Sequence, residues 1–160
     1  MSGTNQRRDW VMLAYRVPRE PSTPRIALWR RLKRLGVAHL ADGLVALPAD
    51  AKTREQLEWV AEEVVEAGGE AMLWIAQPAT ANEERTLAAR MAEAVAADYG
   101  AVIAAARAAE AKDVTVRRRT LARLRRSLLA ISQRDHFPPP EREVAREAVE
   151  RLSGSVELAL

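Results

Sequence analysis

A chain of 160 residues, 48% hydrophobic and 29% charged, is long enough to bury a real core without staples and has the balance of an ordinary globular protein. It contains no cysteine and two histidines, which excludes disulfides, thiolate chemistry and zinc fingers. No apolar run approaches the roughly 20 residues of a membrane helix and no signal-peptide pattern opens the chain, so a cytoplasmic protein without membrane contact is expected.

Residues 1–8, MSGTNQRR, have no periodicity and are expected to fray. WVMLAYRV, from Trp10, is an apolar, aromatic and β-branched run of strand length that ends at Pro18, which cannot donate to a sheet ladder. Ser22, Thr23 and Pro24 then predict a helix start, with a hydroxyl as cap and proline in the first turn. Ile26, Trp29, Leu32 and Leu35 form its expected apolar stripe, Arg25, Arg30, Arg31, Lys33 and Arg34 fill much of the rest, and Gly36 ends it. Val37–Leu40 and Leu44–Leu47 read as a hairpin in which Gly43 takes the backbone conformation other residues avoid.

A helix is predicted near 52–67, with Leu57, Val60, Ala61, Val64 and Val65 inward, and Gly68 and Gly69 stop it. EAMLWIA, from Glu70 to Ala76, is a fourth strand ended by Pro78. The order strand, helix, strand, strand, helix, strand predicts an α+β, ferredoxin-like βαββαβ domain over 9–78, followed over 79–160 by a helical extension of three mostly long helices. Asn82 is the expected cap of a helix running to about Ala111, with Gly100 as a possible kink, and Asp113 of a second running to Gln133. The stripe of that second helix is Val114, Leu121, Leu124, Leu128 and Ile131, ringed by Arg117, Arg118, Arg119, Arg123, Arg125 and Arg126. HFPPP, from His136, makes a stiff corner before a last helix over Glu141–Leu152.

The net charge of +3 hides an asymmetry. Residues 1–34 carry nine basic side chains against Asp9 and Glu20, residues 51–112 six against eleven acidic, and residues 113–135 seven arginines against Asp113 and Asp135. These segments either neutralise one another or form a surface that attracts a polyanion.

The run YRVPREPSTPRIALWRRLKRLGVAHLADGLVALP, with EAMLWIA and then RDHFPPPEREVAREAVERL, resembles the amino-terminal domain of the ChrB family of bacterial chromate-resistance proteins over residues 9–152. The resemblance implies a chromate-responsive regulator of an efflux operon that acts on DNA, and a longer family architecture whose carboxy-terminal domain lies beyond this chain. More distantly, the strand, the basic helix ending in RLG and the hairpin are similar to the middle domain of the phenylacetate repressor PaaX and to the small ferredoxin-like CRISPR adaptation protein. In the latter group an aspartate closes the first strand and serves metal binding; Arg16 stands at the matching position, so neither a metal site nor nuclease chemistry is expected.

Three kinds of site are open to these residues. Arg30, Arg31, Lys33 and Arg34, with Arg117, Arg118, Arg119, Arg125 and Arg126, are candidates for pairing with DNA phosphates, a mode that positions rather than reads sequence. Arg16, Arg19 and Arg25 beside Ser22 and Thr23 at a helix amino terminus are candidates for holding chromate or a similar oxyanion, against the plainer reading of a helix cap with solvated arginines. Catalysis is not expected: His39 and His136 lack ligand spacing, GxSxG and GxGxxG do not occur, and no cofactor is implied. Trp10, Trp29, Trp59 and Trp74 are expected mostly in the core; the second face of the sheet is left to the long helices or to a second copy, and a homodimer is expected. A dimeric oxyanion-sensing or scaffold domain that does not touch DNA is the alternative.

Overall fold

The computed structural model describes residues 7–159, so the expected fraying of the amino terminus falls largely outside the described residues. Its elements are β1 (Trp10–Arg16), α1 (Ser22–Leu35), β2 (Ala38–Ala41), β3 (Leu44–Pro48), α2 (Ala51–Glu66), β4 (Glu70–Ala76), α3 (Ala81–Ala109), α4 (Val114–Gln133) and α5 (Glu141–Leu158). The strands form an antiparallel sheet in the order β2-β3-β1-β4, the ferredoxin-like arrangement, followed by three long helices. None of the described helices is long and apolar enough to cross a membrane. The chain divides at Arg90, inside α3, into two compact units.

In the first unit, β1 alternates between two faces. Val11 and Leu13 lie opposite Leu47 and Val45 of β3, and these four are fully buried with Leu28 and Leu32 of α1 and Leu57, Val60 and Val64 of α2. On the other face Trp10, Met12 and Ala46 floor a groove of about 450 Å³ whose far wall includes Leu87 and Arg90 of α3. Trp10 is buried there and donates from Nε1 to Glu84 Oε1 at 3.3 Å.

Several local expectations are corrected. Pro21, not Ser22 or Thr23, occupies the cap position of α1, and no side chain caps its free amides; the two hydroxyl residues already lie in the first turn, where Pro24 still costs no hydrogen bond. The buried side of α1 is Leu28 and Leu32, while Ile26 and Trp29 are 48% and 55% exposed. Val65 of α2 is likewise exposed, because the inner face of that helix runs through Thr53, Leu57, Val60 and Val64. Asp50 caps α2 by a reciprocal pair: its carboxylate accepts from Thr53 N–H at 2.8 Å, and its own N–H donates to Thr53 Oγ1 at 3.0 Å. Asn82 lies inside α3; Thr80 takes the capping role with Glu83, whose N–H donates to Thr80 Oγ1 at 3.1 Å. Of the four tryptophans only Trp10 is buried, Trp29, Trp59 and Trp74 each being more than half exposed.

In the second unit the later turns of α3 pack with α4 and α5 around Val95, Tyr99 and Val102, Leu121, Leu124 and Ile131, and Ala145, Val149 and Leu152. Asp113 caps α4 as expected, accepting from Val116 N–H at 2.9 Å. The last helix runs six residues past Leu152, through Ser153, Gly154 and Ser155, because Val156 continues its apolar stripe into the core. Tyr99 donates to Asp135 Oδ2 at 2.7 Å and Arg134 reaches Asp98 Oδ2 at 3.0 Å, tying the end of α4 to α3.

Burial, helped by the Asp135 bond and charge, pushes the Tyr99 phenol up to about 12. The stabilisation from keeping this phenol neutral is therefore complete below pH 10 and lost as pH rises from there through about 12. Alkaline titration followed by tyrosinate absorbance should show this late step, and Tyr99→Phe should abolish it while leaving Tyr15's.

Candidate anion-binding cleft and cationic helix face

The end of β1, the outer side of α1 and the β2–β3 hairpin enclose a cleft of about 1140 Å³. β1 delivers Tyr15 and Arg16 to it, α1 delivers Ser22, Arg25, Ile26 and Trp29, and the hairpin delivers His39, Asp42 and Gly43. A tight approach of the two chains sets this rim. Tyr15 N–H donates to the Gly43 carbonyl at 2.8 Å, and Gly43 has φ +74°, where a Cβ would run into the Tyr15 carbonyl oxygen. The hairpin tip is thereby held against the end of β1.

Of the residues expected to hold an oxyanion, Arg16, Ser22 and Arg25 share this cleft; Arg19 and Thr23 are exposed but do not line it. Two guanidinium groups, a hydroxyl and the uncapped first turn of α1 suit a small tetrahedral anion. Asp42 is the one carboxylate of the lining and opposes such a ligand. Burial first, and the Asp42 charge second, push the Tyr15 phenol above its ordinary value, so it stays a neutral hydrogen-bond donor in the cleft. A lone carboxylate beside two arginines does not make a cation site. Tyr15 and Asp42 are not candidates by sequence, and His39 is one only for catalysis; Tyr15 comes in beside Arg16 at the end of β1, and His39 and Asp42 come in because the hairpin folds back beside α1. Trp29 adds an exposed ring, with Lys33 Nζ 5.0 Å from its centre.

The expected DNA-contacting residues divide between the two units. On α1, Arg30, Lys33 and Arg34 are exposed, whereas Arg31 pairs with Glu63 of α2 and is engaged within the fold. On α4, Arg118, Arg119, Arg123 and Arg126 are exposed, and among the described residues no carboxylate lies within ion-pair distance of any of them. Arg119, Arg123 and Arg126 follow one another at helical spacing on the side away from Leu121, Leu124 and Ile131. Arg125 donates to Ser153 Oγ of α5 at 2.9 Å, and the Nε of Arg117 is buried, so these two belong partly to the packing of the helices.

Comparison with known proteins agrees with the likeness drawn from the residues. The family described as "Protein ChrB, N-terminal" matches residues 25–158, from the second turn of α1 to the end of α5. No curated protein matches the chain. Since the match spans most of both units, this chain belongs to the ChrB amino-terminal family and is a chromate-resistance-related protein.

Proposed function

We propose that this protein is a non-enzymatic, chromate-responsive transcriptional regulator that binds DNA through the exposed arginines of α4, assisted by Arg30, Lys33 and Arg34 of α1. The observation that carries this reading is the row Arg119, Arg123, Arg126, which no acidic side chain of the described fold neutralises. A solvated, unpaired guanidinium row releases counterions on meeting a phosphate backbone, which favours association with a duplex. Membership of a chromate-resistance family supplies the physiological context. The cleft of Arg16, Ser22 and Arg25 supports direct binding of chromate, a tetrahedral dianion that two guanidinium groups and a helix amino terminus suit.

The test is binding of the purified protein to promoter DNA of a chromate-efflux operon, with and without chromate, over a series of salt concentrations. Specific binding that weakens as salt rises, and that chromate alters, is the expected result. Binding no tighter than to unrelated DNA overturns the autonomous regulator and favours a dimeric oxyanion-sensing or scaffold domain, for which the exposed Trp29, Trp59 and Trp74 are candidate contacts. Arg16→Gln with Arg25→Gln should remove the chromate response and leave DNA binding in place.

A further inference from the structure

The order β2-β3-β1-β4 leaves two edges, and they differ in kind. β2 is four residues long and its ladder is irregular between His39 and Ala41, the short, broken sort of edge that resists pairing. β4 is seven residues long and pairs with β1 without interruption from Glu70 opposite Arg16 to Ala76 opposite Trp10. It has no proline and no lysine, its one charge is at its first residue, and among the described residues one side of it has no strand neighbour. Met72, Trp74 and Ile75 are 57%, 55% and 51% exposed. An apolar strand, uncharged after its first residue and with an open row of amides and carbonyls, invites aggregation unless something covers it.

We propose that a second copy of this chain covers it, with β4 pairing antiparallel to β4 of the partner and the two sheets running on as one. The sequence EAMLWIA is complementary to itself about Leu73. In that register Met72 faces the partner's Trp74 on one side of the sheet, a thioether against an aromatic ring, and Ala71 faces the partner's Ile75 on the other, small against large. Glu70 faces Ala76, so no charge meets its like. Every such pair occurs twice across a two-fold axis, as an isologous interface requires, and the helix-covered faces of both sheets stay on one side. This inference rests on the sheet alone and stands or falls independently of DNA binding.

Light scattering on the eluting wild-type protein across the micromolar range should give the mass of a dimer, and Met72→Lys with Trp74→Lys, which sets lysine opposite lysine, should halve it. Because the chain has no cysteine, Leu73→Cys introduces a unique thiol that the register places opposite its own copy, within disulfide reach. Mild oxidation should cross-link Leu73→Cys into dimers and leave Lys112→Cys, an exposed control, uncross-linked. A wild-type monomer throughout that range overturns the proposal, as does a dimer that survives both lysines. Should Leu73→Cys lose its circular dichroism signal, the lysine pair decides alone, since both of its positions are more than half exposed.

Discussion

Replacing Arg119, Arg123 and Arg126 by glutamine should weaken DNA binding roughly 100-fold at low salt and lower the slope of log affinity against log salt by about three. The three side chains are exposed and, among the described residues, free of acidic partners, so each is available to displace a counterion from phosphate. The loss should be nearly the same on every DNA sequence, because phosphate contacts position a protein without reading bases. Helicity should not change, since the core side of α4 is Leu121, Leu124 and Ile131. Arg31→Gln is the informative contrast: its guanidinium is committed to Glu63, so binding should alter little. Equal binding by the triple variant and the wild type in a filter or fluorescence-anisotropy titration would remove α4 as the DNA-binding element.

Gly43→Ala should destabilise the first unit by about 2–4 kcal/mol, combining left-handed backbone strain with an overlap that the fold cannot relax cheaply. The atom in the way is the Tyr15 carbonyl oxygen, and moving it disturbs the bond from Tyr15 N–H to the Gly43 carbonyl at 2.8 Å. Since that contact holds the hairpin against Arg16 and Tyr15, chromate binding should fall along with stability. Gly100→Ala provides the opposite sign within the same protein. A Cβ there meets nothing within 4 Å and Gly100 is helical, so stability should rise by about 0.5–1 kcal/mol. Urea unfolding of the two variants beside the wild type measures both.

The strands and helices themselves could be read from the chain because their signals are local. Pro18, Gly36, Gly68 and Pro78 stop elements at or near the places where the structure ends them, and Asp113 caps α4 as its position suggests. Misread starts have local causes too. Ser22 and Thr23 suit a cap by residue type but lie one and two residues inside α1, and Thr80 with Glu83, rather than Asn82 two residues later, caps α3. Clustering of Arg16, Ser22 and Arg25 is legible in the chain, but the Asp42 carboxylate beside them is not, because the hairpin brings it there from outside the helix, and the Tyr15 phenol joins them only through the side of β1 that meets the cleft.

From sequence alone came the ferredoxin-like order, the richness of α4 in arginine and the family likeness, all of which depend on residue types and spacings within a few turns, whereas helix packing set aside Arg117 and Arg125 and exposure brought in Arg123. Tertiary structure decided which side of each element is inside. On α1, Leu28 with Leu32 and Ile26 with Trp29 are both acceptable apolar stripes by spacing, and only the position of the sheet selects the first and leaves the second in the cleft wall. It likewise decided that Arg31 is committed to Glu63 while Arg119 is free, and that β4 rather than β2 is the long open edge. Caps, turns and periodicity act between neighbours in the chain, whereas burial, ion pairing and exposed edges arise between segments distant in sequence, and no single segment encodes them.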